Sequence, residues 1–225
     1  MTLVLDGKKL AKAVRAEVKA SIAMALARGV RPPGLAVILV GEDPASQTYV
    51  ASKEKLAKKL GFHTCDYRLA ADTTSAALLS VINDCNSDAA IDGILLQLPL
   101  PESLEQEQFL NAIAAQKDAD GLHPLNQGLL LAGQTGPRPC TPLGTMALLD
   151  CAIAQVNFDE LVLEELPEAD LSGKRAIVLG RSVLVGKPLA LMLLERNATV
   201  VMAHSRTADL AERVREADIV LAAVG

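Results

Sequence analysis

The sequence predicts an α/β protein with two domains, and three observations support this prediction. Short, wholly apolar runs alternate with longer stretches of helical periodicity, a pattern typical of parallel strands and the helices that cover them. A segment rich in Gly, Pro, Asp and Asn interrupts the alternation at residues 117–144, and the alternation then restarts. The length of 225 residues is enough for two modest domains. We place the boundary between residues 141 and 142.

The first half of the chain reads as helices alternating with buried strands. Residues 8–28 carry apolar side chains every fourth position, and the run LAVILV at residues 35–40 is wholly apolar. Such a run suits a strand that is covered on both faces of a parallel sheet. The predicted elements are helices at 8–28, 44–60 and 74–83, and strands at 35–40, 64–69 and 93–98. Their alternation implies right-handed βαβ units.

The second half restarts this pattern after a less regular stretch. We expect most of residues 117–144 to lie in loops, where binding groups often sit. The acidic residues 157–173 predict a surface excursion. The predicted elements are helices at 142–154, 187–196 and 207–216, and strands at 175–179, 199–203 and 219–223. The last three strands and the two helices between them form one half of a doubly wound nucleotide-binding sheet. Because the sequence stops directly after a strand, we expect this domain to be incomplete at its C-terminus.

Composition and charge argue against several classes of protein. The formal net charge is -5 without long blocks of like charge, which argues against nucleic acid or an anionic membrane surface as main partner. We find no apolar run of the ~18 residues that a membrane span needs, and no secretory signal. The four cysteines form no CxxC pair, which favours a reducing, cytoplasmic location. The three histidines show no metal-ligand spacing with the cysteines, so we predict no metal site.

The segment from Asp43 to Gly61 predicts an amphipathic helix of about five turns. Asp43 suits the N-cap, Pro44 the first helical position, and Gly61 the C-terminal end. Stepping about 100° per residue puts Lys53 in the middle of the inward face, with Tyr49 one turn earlier on that face. The opposite face carries the other three lysines, Lys55, Lys58 and Lys59.

An ammonium group on an inward face has two interpretations that these residues leave open. The Lys53 side chain can snorkel, with its stem packed and its head in water. It can also be paired with another group at a functional site, because burying an unpaired ammonium is costly. The phenol of Tyr49 and the amine of Lys53 therefore form either a structural contact or part of an active site.

A second motif, GRSVLVGKP at residues 180–188, joins a predicted buried strand to a helix. Backbone N–H groups in such a turn can bind phosphate. The spacing is GxSxxxG rather than GxGxxG, so an ordinary tight turn with Pro188 near the helix start is an alternative. At the end of the following strand, His204-Ser205-Arg206-Thr207 carries a cation where NAD sites usually carry Asp or Glu. Together with Arg181, this favours NADP over NAD.

Five segments in this order resemble the bifunctional methylenetetrahydrofolate dehydrogenase/methenyltetrahydrofolate cyclohydrolase family: GEDPASQTYVASK, DGILLQLPLP, KDADGLHPLN, PCTPLG and GRSVLVGKP. They span nearly the whole chain. The resemblance implies an N-terminal α/β catalytic domain that binds folate at residues 1–141, and a Rossmann-type NADP-binding domain at residues 142–225. It implies NADP-dependent oxidation of 5,10-methylenetetrahydrofolate to 5,10-methenyltetrahydrofolate, and hydrolysis of that product to 10-formyltetrahydrofolate, in one-carbon metabolism. It also implies tetrahydrofolate derivatives as partners and a homodimer.

The same resemblance implies roles for individual residues. The family's Tyr-x-x-x-Lys falls on Tyr49 and Lys53, with Lys53 as the general base or the group that orients water. Gln97 would tune Lys53, and Asp120 would hydrogen-bond the pterin ring; these four are the predicted catalytic residues. The predicted substrate contacts are Tyr49, Gln97, Leu98, Pro99 and Asp120. The predicted NADP contacts are Gly180, Arg181, Ser182, Gly186, Ser205 and Arg206.

Several of these residues have alternative interpretations. Gln97 can bridge strands, although an amide in an apolar run needs partners. Asp120 beside a glycine can be a turn former, although Asp118 suits that role better. We assign no chemistry to Cys140 and no role as a base to His123 or His204.

Two alternative functions also stay open. One is a truncated or diverged relative that binds folate or nucleotide without turnover, against which the intact Tyr49, Lys53, Gln97 and Asp120 argue. The other is an enzyme with only the dehydrogenase activity, and Lys53 argues against it. Ala119, where the family commonly has Val, is a mild departure from the family pattern.

Overall fold

The computed structural model describes residues 4–224. The chain divides into two compact units, one made of Val14–Pro124 and the other of Met1–Ala13 together with Leu125–Gly225. Helix α1, Gly7–Ala27, contributes residues to both units. The boundary that we expect between residues 141 and 142 falls inside a helix and stays a prediction.

The unit Val14–Pro124 is built on a three-stranded parallel sheet in the order β2-β1-β3. Its elements are β1 (Gly34–Val40), α2 (Pro44–Leu60), β2 (His63–Leu69), α3 (Ser75–Ser87), β3 (Gly93–Leu96) and α4 (Gln106–Ala112), followed by a 3₁₀ turn at Ala115–Lys117. The central strand β1 is buried on both faces, with Val37 and Ile38 at 1% and 0% exposure. Phe109 of α4 and Ile82 of α3 fill the core beside it. The predicted βαβ order of this unit is confirmed.

Asp92 ties the amino ends of β1 and β3 together. Its carboxylate accepts the Gly34 backbone N–H at 2.8 Å and pairs with the Arg31 guanidinium at 2.6 Å. These contacts, with Arg31 first, lower the pKa of Asp92 to about 2. Because the strands are parallel, their carboxyl ends meet at the opposite edge of the sheet.

The second unit contains another three-stranded parallel sheet, in the order β5-β4-β6. Its elements are α5 (Pro124–Leu131), α6 (Cys140–Ile153), a 3₁₀ turn (Leu163–Glu165), β4 (Arg175–Leu179), α7 (Gly186–Glu195), β5 (Thr199–Ala203), α8 (Leu210–Arg215) and β6 (Ile219–Ala222). Val178 of β4 and Leu193 of α7 are fully buried in its core. The sheet confirms the predicted βαβαβ unit.

Three local expectations differ from the structure. Residues 117–144 contain more helix than expected, because α5 forms there and packs Leu130, at 1% exposure, into the core, and α6 begins at Cys140. Leu171 within the predicted surface excursion is fully buried in the same core. Helix α8 begins at Leu210 rather than Thr207, because a turn closed by the Thr207 N–H on the His204 carbonyl precedes it.

Across residues 4–224, we find no helix with the length and apolar character that crossing a bilayer requires.

Candidate functional site

Helix α2 is fixed at both ends by local capping. The Asp43 carboxylate accepts the Ser46 backbone N–H at 2.7 Å, and Gly61 adopts φ 103° and donates its N–H to carbonyls of the last turn. Val50 is buried against the sheet, and Ala57 is buried as well. The caps and this apolar contact set the rotation of the helix, and so they set the direction of the half-buried Lys53 side chain.

Lys53 meets Gln97 at the carboxyl end of β3. The Lys53 Nζ donates to Gln97 Oε1 at 3.2 Å, and Gln97 Nε2 donates to the Leu98 carbonyl at 2.6 Å. The Gln97 backbone N–H donates to the Ile38 carbonyl at 2.9 Å, which continues the ladder beyond the strand. Because Nε2 serves Leu98, the amide oxygen is the atom that faces the amine. Lys53 is thus paired rather than only hydrated.

Tyr49 contacts Lys53 through its ring. The Lys53 Nζ lies 5.6 Å from the ring centroid, within the range of a cation–π interaction. The Tyr49 side chain is 66% exposed, although the helical wheel places it on the inward face. The ring therefore leaves a large apolar surface available beside the amine.

The loop after the 3₁₀ turn is held by two residues of the KDADG motif. The Lys117 Nζ donates to the Cys85 and Asp88 carbonyls, at 3.0 and 2.7 Å, at the C-terminal end of α3. Asp118 is 6% exposed, and its carboxylate accepts the His123 backbone N–H at 2.8 Å. Asp118 thus holds the loop that follows it, while the turn itself falls on Ala119 and Asp120. Lys117 was not predicted from the sequence, because its position is set by carbonyls about thirty residues earlier in the chain.

This loop brings Asp120 to Lys53. Burial raises the pKa of Asp120, the Lys53 charge lowers it, and the neighbouring Asp118 raises it; the net direction is upward. Asp120 therefore exchanges protons at a higher pH than an ordinary aspartate. The residue as a whole is half-buried.

The unit Val14–Pro124 thus assembles Tyr49, Lys53, Gln97 and Asp120 in one place. Leu98 and Pro99 follow Gln97 directly, joined by a cis peptide bond, with Leu98 half-buried and Pro99 exposed. Together these groups offer an amine, a carboxyl group of raised pKa and an aromatic face. Such a set can bind a flat polar heterocycle and move a proton. The roles of the individual residues stay predictions.

The turn between β4 and α7 is tightly packed around two glycines. A Cβ on Gly180, which has φ 122°, would lie 2.2 Å from the Ala223 carbonyl oxygen, and one on Gly186 would lie 2.5 Å from the Gly180 carbonyl oxygen. The Ser182 Oγ accepts the Val185 N–H at 3.1 Å, so this hydroxyl also organises the turn. Only glycine allows this close approach of backbone to a helix start, as phosphate-binding turns require.

The second strand of this unit ends in a turn without an acidic residue. Ser205 and Arg206 are exposed there, as is Arg181 in the neighbouring β4–α7 turn. The exposed cations and hydroxyl suit the 2′-phosphate on the ribose of NADP. The free ribose hydroxyls of NAD would instead favour a carboxylate at this position. The donor set and the glycine turn therefore fit NADP.

The sequence matches two family profiles. The profile of the tetrahydrofolate dehydrogenase/cyclohydrolase catalytic domain matches residues 5–120, and the profile of the NAD(P)-binding domain of the same proteins matches residues 139–225. The two matched segments occupy most of the chain and follow the same order as the two sheets.

Curated relatives and solved structures are similar over the whole chain. The bifunctional protein FolD of Synechococcus sp. (strain CC9902) is 51% identical over 225 residues, which are 100% of this chain and 72% of that protein. The crystal structure of the bifunctional FolD of Campylobacter jejuni superimposes with a TM-score of 0.89 at 41% identity, covering 99% of this chain and 74% of that one. The Trypanosoma brucei enzyme, complexed with NADP cofactor and inhibitor, gives a TM-score of 0.88 at 36% identity, with 100% and 72% covered.

Proposed function

The chain belongs to the tetrahydrofolate dehydrogenase/cyclohydrolase family, and we infer that it catalyses both reactions of that family. It oxidises 5,10-methylenetetrahydrofolate with NADP and hydrolyses the resulting 5,10-methenyltetrahydrofolate to 10-formyltetrahydrofolate. The contact between the Lys53 amine and the Gln97 amide, with Asp120 and the Tyr49 ring beside it, is the observation that carries the residue assignment.

In the oxidation, the chain mainly positions the two reactants. NADP⁺, when bound, accepts a hydride from the methylene group between the two folate nitrogens. We assign Gly180 and Gly186 to the close approach of the turn to phosphate, and Arg181, Ser205 and Arg206 to its charge. Ser182 organises the turn and can donate its hydroxyl proton to a ligand. The folate is held by residues of the unit Val14–Pro124.

Asp120 and Tyr49 hold the folate. The amino and ring N–H groups of a pterin form a row of donors that a carboxylate can accept in pairs. The exposed face of Tyr49 offers a surface on which a flat ring stacks. The carbonyl side of Leu98 and the ring of Pro99 border the same place, because they follow Gln97 directly.

In the hydrolysis, Lys53 acts on water. Water adds its oxygen to the methenyl carbon and loses one proton. The bond from that carbon to one folate nitrogen then breaks, the second water proton passes to that nitrogen, and the formyl group stays on the other nitrogen. The Lys53 amine in its neutral form accepts the proton, or as a donor it orients the water. Gln97 holds the amine by its amide oxygen. Positioned proton transfer of this kind accelerates a reaction by about 10²–10⁴.

Replacement of Lys53 by Met tests this assignment. Met keeps much of the apolar stem, so the fold should survive, while hydrolysis of 5,10-methenyltetrahydrofolate should fall by about 10²-fold or more. Oxidation, which needs no base, should fall much less. The loss of methenyl absorbance measures the hydrolysis, and reduction of NADP⁺ measures the oxidation. Lys59→Met, on the exposed face of α2, is the matched control. A folded Lys53→Met protein that hydrolyses at the parent rate would refute the role of Lys53.

We also propose that the protein is a homodimer in the cytoplasm. Exposed apolar side chains on α1, with Met24 at 56% and Leu26 at 44%, support a further contact surface. Within residues 4–224, Cys65, Cys85, Cys140 and Cys151 form no disulfide, which supports a reducing compartment. Sedimentation velocity at micromolar concentration tests the dimer, and a monomer across that range would exclude it.

A further inference from the structure

The segment that carries Asp120 is held on the C-terminal end of α3. This segment, residues 112–120, runs from the end of α4 through the 3₁₀ turn to the turn at Ala119 and Asp120. Helix α3 is a fixed support, because its residues Leu78 and Ile82 are fully buried in the core of this unit. A side chain that ties the segment to α3 therefore fixes where the loop lies.

Lys117 is a half-buried lysine whose amine binds two backbone carbonyl groups. Its Nζ donates to the Cys85 carbonyl at 3.0 Å and to the Asp88 carbonyl at 2.7 Å. Both carbonyls lie at the C-terminal end of α3, where carbonyl groups lack partners within the helix and the helix dipole favours a cation. The lysine thus joins the 3₁₀ turn to α3 only three residues before Asp120.

Two further contacts hold the segment on either side of this lysine. Before it, the Asn86 Oδ1 accepts the Ala114 backbone N–H at 2.8 Å, and the Asn86 Nδ2 donates to the Ala112 carbonyl at 2.8 Å. After it, the Ala119 backbone N–H donates to the Ile94 carbonyl of β3 at 3.2 Å. The segment therefore runs from α3 to the sheet, and the lysine contact lies between these two ends.

The proposed role of Asp120 requires such a fixed place. A carboxylate that holds a pterin by paired hydrogen bonds must be placed accurately, and a misplacement of about 1 Å can cost about 10²-fold in rate. Burial and the charges of Lys53 and Asp118 shift the pKa of Asp120, so we expect Lys117 to act through the backbone rather than through its charge. We propose that Lys117 is a positioning residue of the folate site, which places the Asp120 carboxylate by holding the loop on α3. The proposal rests on the proposed function.

Replacement of Lys117 by Met tests the positioning role. Met keeps much of the stem but cannot donate to the two carbonyls, so KM for 5,10-methylenetetrahydrofolate should rise by about threefold to tenfold. The affinity for NADP⁺, measured by calorimetric titration, should not change, because its assigned contacts lie in the other unit. Lys55→Met removes the same charge at an exposed position of α2 and is the control.

A second variant at the same position covers the case in which Lys117→Met does not fold. Lys117→Gln keeps an amide that can donate to one carbonyl, so it should raise the folate KM by less. A folate KM equal to that of the parent protein in the folded variants would overturn the positioning role. A purely structural role would lower the free energy of unfolding in urea and leave this KM unchanged.

A double variant shows whether Lys117 acts through Asp120. Once Asp120→Asn has removed the carboxylate, adding Lys117→Met should raise the folate KM little further, because the contact that the lysine serves is already lost. Effects of the two substitutions that simply multiply would show that Lys117 acts independently, and they would overturn the proposal.

Asp120→Asn alone separates a failure of this proposal from a failure of the proposed function. If it raises the folate KM and the Lys117 variants do not, only the positioning role fails. If it leaves the folate KM unchanged, the assignment of Asp120 fails and the positioning role fails with it. A parent protein that does not oxidise 5,10-methylenetetrahydrofolate would refute the proposed function and, with it, this proposal.

Discussion

At the scale of single residues, the proposed contact of Asp120 with folate would make folate binding depend on the protonation of this carboxyl group. Burial raises the pKa of this carboxyl group above that of an ordinary aspartate. The charge of Lys53 lowers the pKa and offsets this rise only in part. The carboxylate form is the one that accepts hydrogen bonds from a pterin. The Lys53 charge therefore helps to keep Asp120 in the form that the proposed folate contact needs.

The raised pKa of Asp120 predicts a particular loss of binding in acid. KM for the folate should rise as the pH falls, at a pH above the ordinary aspartate range of about 3.9. Asp120→Asn should raise KM by about tenfold at neutral pH and remove this acid dependence. A pH series of steady-state KM values measures both effects, and an unchanged acid limb in Asp120→Asn would exclude this residue as its cause.

The same substitution should not reduce stability. A folded-state pKa above the unfolded value means that the folded protein binds the proton more tightly, so this group's contribution to stability is greatest at low pH and falls as the pH rises through that range. Removing the charge should leave the free energy of unfolding at neutral pH unchanged or higher. Urea denaturation checks this, and a clear loss would indicate that Asp120 is structural instead.

At the scale of elements, local signals decide what the sequence can predict. Helix α2 was predictable to its ends, because Asp43 and Gly61 cap it by contacts within a few residues. The strands other than β2 were predictable because each is a short, mainly apolar run between turn residues, whereas β2 carries His63, Asp66 and Arg68 and follows only from the alternation of elements. Helix α5 was not, because its composition is that of a loop and the burial of Leu130 among distant side chains stabilises it.

The candidate site shows the same division. Lys53 and Tyr49 could be placed on one face from helical geometry alone, although the 66% exposure of Tyr49 could not. The contacts of Gln97 with Lys53 and of Lys117 with the Cys85 carbonyl join residues far apart in sequence. A local sequence pattern therefore could not predict them. The family resemblance, rather than spacing, identified Gln97 and Asp120 as candidates.

The Asp92 carboxylate joins the amino ends of β1 and β3, and we expect its contribution to the stability of the fold to be lost in acid. The lowered pKa, about 2, means that this carboxylate stabilises the fold fully above its unfolded pKa and that the effect is lost as the pH falls through about 2. Asp92→Asn should lower the free energy of unfolding at pH 7 by about 1 kcal/mol, since the pair is half exposed and screened.

Urea denaturation at pH 7 and near pH 2 measures this effect, with Asp159→Asn as the control. Asp159 pairs with Lys9 at the surface and should change stability little. The difference between Asp92→Asn and the parent protein should shrink at the lower pH. An equal difference at both pH values would contradict an electrostatic link.

At the scale of the whole molecule, the two units bring different chemistry. The unit Val14–Pro124 supplies the amine, amide and carboxyl group, and the second unit supplies a glycine turn and exposed cations. Each has its own parallel sheet and its own core. We propose that folate contacts the unit Val14–Pro124 and NADP the second unit, so cofactor preference should depend on the second unit alone.

This dependence gives a prediction for the whole protein. NADP⁺ should raise the melting temperature more than NAD⁺ at equal concentration, because tighter binding to the folded state stabilises it more. Ser205→Asp should reduce or reverse the difference, since a carboxylate at the end of β5 repels a 2′-phosphate and accepts the ribose hydroxyls of NAD⁺. Ser103→Asp, an exposed position in the other unit, adds the same charge and should leave the preference intact. Thermal melts with each nucleotide measure the shifts. An equal response of the parent protein to both nucleotides would contradict the preference, and an unchanged preference in Ser205→Asp would show that the end of β5 does not set it.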